Sequence, residues 1–284
     1  MITPRATTLR EMQALTSRLW PSRWHVGDLA WTWYQYSGRE DEWRTALWEH
    51  DGRAVAWAWA KPAGRFLNLQ LDPAHPDLAD DVLSWFAELT EGPGPRTVKV
   101  LDDEQAVIDA LAAHGYRERT DRGFFLHLGR SLAELPEPEV PDGYTLRQVG
   151  PEDAAARAAV HRAAFPAARA TAGSYRDVMN AWPYRHDLDW LVTAPDGSPA
   201  SFCLVWLDEA TGAAILEPVG TAPGHLRRGL ASAAILAALR TARDLGAETA
   251  RVCVLGHFGN PPALAAYTSV GFRGFARDRT YEQP

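Results

Sequence analysis

The sequence predicts an α/β protein assembled from two copies of one unit. Three observations carry this reading. Strand-length apolar runs alternate with alanine- and leucine-rich helical stretches along all 284 residues. Their order is helix, three strands, helix, strand, helix, strand, and it occurs twice. A segment with three prolines, residues 131–143, separates the two runs and reads as a semi-extended linker. The expected organisation is therefore a first unit over 1–130, the linker, and a second unit over 144–284.

In the first unit, residues 8–19 read as a helix. Residues 45–50 and 54–61 are strands around the turn pair Asp51-Gly52, and 66–71 is a third strand. A helix over 78–89, a strand over 97–101, a helix over 103–114 stopped by Gly115 and a strand over 116–127 complete it. In the second unit, 152–165 is an alanine-rich helix opening after Pro151. Strands at 188–194 and 200–207 flank Pro195-Asp196-Gly197-Ser198, and 213–220 is a third strand. Residues 226–245 form a long helix stopped by Gly246, followed by a strand at 249–255. A helix at 261–270, stopped by Gly271, and a strand at 272–280 end the chain.

Composition narrows the function classes. With 46% hydrophobic and 23% charged residues the chain has an ordinary globular balance. No apolar run reaches the 18 or so residues of a spanning helix, and no apolar leader follows a basic start. The two cysteines, Cys203 and Cys253, lie in apolar strand-like runs, which favours a reduced, cytoplasmic protein and reads Cys253 as buried and inert. Residues 1–139 hold 15 Lys/Arg against 22 Asp/Glu, whereas the remainder is balanced. No basic stripe exists, so nucleic acid is a poor partner. The acidic half suits either solubility or a cationic substrate. Zinc-site spacings, a Walker A run and Gly-x-Ser-x-Gly are all missing from the sequence.

The informative stretch runs from Leu216 to Ser232: strand, short turn, glycine-containing loop, helix start. Unpaired N–H groups and the helix dipole at such a start favour a phosphate, and small residues let it approach. Gly229 and Ala231 give clearance, and Arg227 and Arg228 add charge. This stretch, Leu226-Arg227-Arg228-Gly229-Leu230-Ala231, resembles the pyrophosphate loop Gln/Arg-x-x-Gly-x-Gly/Ala of the GCN5-related N-acetyltransferase (GNAT) superfamily. Leu226 departs from it at the first position. Farther on, Asn260-Pro261-Pro262-Ala263-Leu264-Ala265-Ala266-Tyr267-Thr268-Ser269-Val270-Gly271-Phe272 resembles the family's Asn-x-x-Ala-x-x-Leu-Tyr-x-x-x-Gly-Phe segment.

The resemblance covers residues 143–282, and the two-unit arrangement is similar to that of tandem members such as mycothiol synthase. It implies two tandem GNAT-type units, each a mixed, mostly antiparallel sheet flanked by helices. It further implies acetyl-CoA as acyl donor, a small-molecule primary amine as acceptor, direct attack, and no metal. Tyr267 would protonate the departing thiolate and Asn260 would contact the cofactor arm. Val219-Gly220-Thr221 would pair with the pantetheine amides as a strand edge does, and Gly229, Leu230, Ala231 and Ser232 would cradle the diphosphate with the two arginines. Glu217, two residues before Val219 on the same strand face, is either the base that deprotonates the amine or a solvent-facing strand residue. No membrane partner is expected, and the protein would be a monomer or homodimer. A non-catalytic acyl-CoA-binding protein and an enzyme acetylating an amine antibiotic are the alternatives.

The first unit lacks this loop. Its counterpart, residues 71–81, has no glycine and four carboxylates near the helix start, which repel phosphate; no CoA site is expected there. Eight of the twelve tryptophans fall between Trp20 and Trp59. Trp57 and Trp59 share a strand face that either lines a pocket or packs in the core. Tyr175, Trp182, Tyr184 and Trp190 are candidates for lining the acceptor pocket.

Overall fold

The computed structural model describes residues 3–256 and 261–284. The first half contains α1 (Leu9–Arg18), α2 (Val26–Tyr34), β1 (Arg44–His50), β2 (Arg53–Lys61), β3 (Phe66–Leu71), α3 (Leu78–Leu89), β4 (Arg96–Leu101), α4 (Gln105–Ala113), β5 (Arg117–Glu118) and β6 (Phe125–Ser131). After a stretch without helix or strand, the second half adds β7 (Thr145–Gln148), α5 (Ala154–Ala164), α6 (Ala172–Met179), β8 (Asp189–Thr193), β9 (Pro199–Asp208), β10 (Ala213–Thr221), α7 (Leu230–Asp244), β11 (Thr249–Leu255), α8 (Pro261–Ser269) and β12 (Arg273–Gln283). The protein is a mixed α/β fold.

All the strands join one sheet in the order β1-β2-β3-β4-β12-β6-β11-β10-β9-β8-β7, with β5 also on β12. Two neighbours run parallel, β3 with β4 and β10 with β11, and the other pairs are antiparallel. The centre is crossed over. β6, from the first half, pairs with β11 from Thr249↔Ser131 to Leu255↔Phe125. β12, at the end of the chain, pairs with β4 from Asp278↔Leu101 to Gln283↔Arg96. Each half thus lends its last strand to the other, and β6 and β12 lie side by side.

Local sequence explains most elements. Thr8 caps α1 in a reciprocal box: its hydroxyl accepts the Glu11 N–H at 3.3 Å, and Glu11 accepts the Thr8 N–H at 2.8 Å. α2 is the helix that apolar periodicity hides, because Trp and Tyr fill it and its cap is a histidine. The His25 ring nitrogen Nδ1 accepts the Gly27 N–H at 3.1 Å, and the Asp28 carboxylate accepts the His25 N–H at 2.9 Å. α7 starts four residues later than the pattern suggests, since Arg227 (φ 61°) and Gly229 (φ 76°) are both left-handed. The strand expected at 116–127 breaks into β5 and β6 around a turn at Thr120 and Asp121, so the strand that joins the centre of the sheet begins only at Phe125.

Core packing settles the tryptophan alternatives. Trp57 and Trp59 are fully buried with Met12, Leu15, Leu29 and Trp43, under α1 and α2. The Trp57 indole donates to the Thr16 hydroxyl at 3.0 Å. In the second half Trp206 is also fully buried. A Cβ placed on Gly27 of α2 would lie 2.3 Å from the Trp206 Cβ and 2.5 Å from its Cγ, so α2 seats on β9 only with glycine there. Gly27→Ala is expected to lower unfolding free energy by about 1–3 kcal/mol, measured by urea denaturation; an unchanged midpoint would remove this contact from the argument.

Candidate active site

β10 and β11 hold together over only three pairs, Ala213↔Thr249, Ala214↔Ala250 and Ile215↔Arg251. Beyond them the strands part. β10 keeps β9 on its other side, but its register slips between Leu216↔Val205 and Val219↔Cys203, a one-residue bulge. Pro218 lies inside that bulge and has no N–H to give a ladder; the Glu217–Pro218 peptide is cis. Side chains on β9 take up the carbonyls that the distortion frees. The Trp206 indole N–H donates to the Glu217 carbonyl at 2.6 Å, and the Ser201 hydroxyl donates to the Gly220 carbonyl at 2.9 Å. The Ser201 and Thr221 hydroxyls are 2.8 Å apart. Gly220 has no room for a side chain: a Cβ would meet Phe202 Cζ at 2.6 Å and the Ala164 Cβ at 2.8 Å.

β10 leads through a short turn at Pro223–His225 to the start of α7. The Tyr144 hydroxyl and His225 Nδ1 are 3.0 Å apart, which ties that turn to the chain just before β7. Leu226, Arg227, Arg228 and Gly229 are exposed, and nothing lies within 4 Å of where a Gly229 Cβ would be. α7 has no side-chain cap and no acid in its first turn. Its leading N–H groups, with Ala231 and Ser232 half-buried beside them, are free for an anion. The equivalent α3 start carries Asp80 and Asp81 in its first turn, and Asp80 lies 3.0 Å from the His114 Nε2.

Between the parted strands and α2 lies a cleft of about 250 Å³. Glu217, Cys253, His127, Asp278, Asp28 and Trp31 line it, and it continues towards Arg251 and Trp20. Burial pushes the Glu217 carboxyl up to about 8, with the Asp28 charge adding and a hydrogen bond from Trp31 opposing. Burial also pushes Asp28 up to about 6, against the His25 N–H that stabilises its charge. Tyr267, on α8, is 8% exposed and packs edge-on against Phe272 at 5.9 Å. Burial raises its phenol, so it holds its proton at neutral pH. Glu217 and Tyr267 interact electrostatically across the site.

The exchanged strands supply the floor. Asp278 on β12 accepts from Arg23 Nη2 at 2.8 Å and lies 2.8 Å from His127 Nε2 on β6. Burial opposes the Asp278 charge, yet Arg23 and His127 outweigh it and hold the carboxyl below its ordinary range. The Cys253 sulfur on β11 lies 3.3 Å from His127 Nδ1 and 3.8 Å from Nε2. Such similar distances place it over the ring face, not in line with a nitrogen lone pair. Burial raises the thiol well above its usual value, so it stays protonated. Contrary to the sequence reading, Cys253 is only partly buried and faces the cleft.

Among the sequence-derived candidates, Glu217, Val219, Gly220 and Thr221 lie along β10. Arg227, Arg228, Gly229, Leu230, Ala231 and Ser232 form the loop and first turn of α7, with Leu230 buried in the core. Tyr267 reaches the same region from α8, and Asn260 lies outside the described residues. The aromatic residues expected to line the acceptor pocket do not line the cleft. Tyr175 and Tyr184 donate to the buried Asp189 at 3.1 and 3.2 Å, the Trp190 indole donates to the Asp187 carbonyl, and Trp182 sits on the surface under Arg10. The residues that sequence reasoning does not reveal, Asp28, Trp31, Arg23, His127 and Asp278, come from α2, the segment before it and the exchanged strands. His25 and Asp28 at cap spacing are the one local signal for α2.

The architecture has known counterparts. A GCN5-related N-acetyltransferase from Sphaerobacter thermophilus superposes with a TM-score of 0.66 over 99% of this chain and 95% of its own, at 19% identity. A tandem GNAT protein from the clavulanic acid biosynthesis pathway gives 0.64 over 100% and 98%, at 15% identity. FemX gives 0.63 over 99% and 97%, at 11% identity. At these identities the likeness is one of fold, and it defines a protein with the acetyltransferase fold of the GNAT type along its whole length. Residues 158–272 match the model of the acetyltransferase (GNAT) family. No curated protein matches the sequence. Among the described residues no group of three or more His, Cys, Asp and Glu is placed to hold a metal ion, and no helix is long and apolar enough to cross a membrane.

Asp278→Ala leaves Arg23 and His127 facing an empty floor and is expected to cost about 3–5 kcal/mol, measured by denaturation at neutral pH. A depressed carboxyl contributes stability above its ordinary value of 3.8 and loses it as pH falls. The acid-side decline below that pH should therefore flatten in the variant; an unchanged acid limb would refute the assignment.

Proposed function

We propose that the protein transfers an acetyl group from acetyl-CoA to the primary amine of a small molecule, by direct attack of the amine on the thioester. One observation carries this reading: β10 and β11 part after three pairs, and β10, which bears the raised carboxyl of Glu217 there, runs on through a short turn to the uncapped start of α7.

Each group stands in surroundings that suit one part of that reaction. The α7 start, with the N–H groups of Gly229 to Ser232 and the charges of Arg227 and Arg228, takes the diphosphate. The unpartnered edge of β10 at Val219-Gly220-Thr221 takes the pantetheine amides as a neighbouring strand would. An amine attacks only when neutral, and a carboxyl pushed up to about 8 is a competent proton acceptor just where amines begin to lose theirs. Tyr267 keeps its proton until the thiolate leaves and then supplies it. The neutral Cys253 thiol over the His127 ring is poorly placed and poorly charged for a covalent route, which supports direct attack. Asn260 contributes to the cofactor arm as the family resemblance implies. The first half binds no CoA, because Asp80 and Asp81 already occupy the electrostatic role at the start of α3.

Release of CoA thiol over a panel of amines tests the reading, and no release with any amine refutes it. Tyr267→Phe should lower kcat about 10²-fold with the KM for acetyl-CoA little changed; equal rates would remove the tyrosine from the chemistry. Glu217 works only when deprotonated, so kcat/KM should rise with pH through about 8 and level above it. Glu217→Gln should abolish that limb. Cys253→Ala should retain most activity, and intact-protein mass after exposure to acetyl-CoA should show no added acetyl group.

A further inference from the structure

The wall of the cleft opposite Glu217 is built by the first half. Asp28 projects from α2, and its one hydrogen-bond partner among the described residues is the His25 backbone N–H. It lines the cleft together with Glu217. Neither carboxylate has an ion-pair partner among the described residues. Neither nearby arginine forms an ion pair with them among the described residues. Arg23 closes its fork on Asp278, at 3.2 and 2.8 Å, with its guanidinium over the Trp24 ring. Arg251 donates to the Ser22 carbonyl at 2.9 Å and lies between Trp20 and Phe275, 4.1 and 4.7 Å from their ring centres.

We propose that Asp28 is a specificity-determining residue of the acceptor site, and that the acceptor is a small cationic amine with no carboxylate beside its amino group. This deepens the acetyl-transfer reading and rests on it. Two half-buried carboxylates without counterions are costly unless a ligand brings the positive charge. An ammonium between Asp28 and Glu217 supplies it, and Trp31 gives that ammonium an aromatic neighbour. An acceptor carrying an α-carboxylate would bring a further negative charge beside Asp28 and Glu217, where Arg23 is already paired with Asp278 and Arg251 is held by the Ser22 carbonyl between two rings. The remaining groups that face the pair are the His25 ring, pushed down to about 4 by burial, His127, the already neutralised Asp278 and the neutral Cys253 thiol. The His25 ring and the Cys253 thiol carry no charge near neutrality, and His127 is engaged with Asp278.

The pair also stores a proton. Near pH 7 Glu217 is mostly protonated and Asp28 mostly charged. A bound ammonium favours charge on both carboxylates, so binding should expel up to one proton.

The test compares amines with their α-carboxylated counterparts: tyramine with tyrosine, cadaverine with lysine, agmatine with arginine. Wild-type protein should favour the decarboxylated member by about tenfold or more in kcat/KM. Asp28→Asn retains the acceptor atom for the His25 N–H and should raise the amine KM about tenfold while the KM for acetyl-CoA holds. Calorimetry of amine binding to the wild type, in two buffers of different ionisation enthalpy at pH 7, should show proton release, which needs no variant to fold. Equal use of amino acids, an unchanged amine KM in Asp28→Asn, or binding without proton release each overturns the assignment while acetyl transfer stands. A wild type that transfers to no amine overturns the acetyl-transfer reading and this inference with it.

Discussion

The arrangement of the cleft depends on one side chain, Trp206. Its indole N–H holds the Glu217 carbonyl at 2.6 Å, stabilising a bulge that the ladder alone would leave with an unpaired acceptor. Its Cβ and Cγ meet α2 where only glycine fits. A buried aromatic thus fixes at once the strand that carries Glu217 and the helix that carries Asp28. Relaxing either contact would leave the two carboxylates free to move apart, and their mutual influence falls with distance. A tryptophan suits this position because it combines a large rigid apolar body with one polar atom needing a partner.

The exchange of last strands makes the two halves interdependent. His127, Cys253 and Asp278 sit on β6, β11 and β12, three adjacent strands of which one is contributed from each direction of the crossover and the third by the second half itself. Arg23, which neutralises Asp278, comes from the segment before α2. A charged floor of this kind cannot be assembled by either half alone. It also explains why β10 can part from β11 without loss of order, since β11 is paired along its whole length with β6 on its other side.

Much of this is legible in the sequence, and the failures have physical causes. Strands such as Phe66–Leu71 and Thr249–Leu255 are readable because apolar period and turn residues agree there. The loop at Arg227 to Ser232 is readable because anion binding uses backbone and small residues in a fixed local order. α2 is not, because its apolar content is aromatic and its cap is a histidine. The crossover is not, because an apolar strand records that it is buried but not which neighbour buries it. The acceptor-side residues follow from that gap: Asp28 and His127 are separated from Glu217 by 90 residues or more in sequence and reach the cleft only through long-range packing, His127 on the exchanged β6 and Asp28 on α2, which seats on β9. Cys253 misleads for the same reason, since a cysteine between two valines looks internal until the splay of β10 opens one face of its strand.

The start of α7 and the α2 wall of the cleft work by different physics. At the start of α7 the groups on offer are backbone N–H donors and exposed arginine side chains, which in the proposed scheme meet a diphosphate. At the α2 wall the groups are half-buried carboxylates whose protonation is balanced near neutrality by desolvation, so they respond to the charge of whatever enters. The acids in the first turn of α3 disfavour an anion there, and in the proposed scheme α2 supplies acceptor selectivity instead. On the proposed reading, duplication has separated donor binding from acceptor choice. The second half then keeps the donor chemistry, and the first half lends α2 as a charge-sensitive acceptor wall.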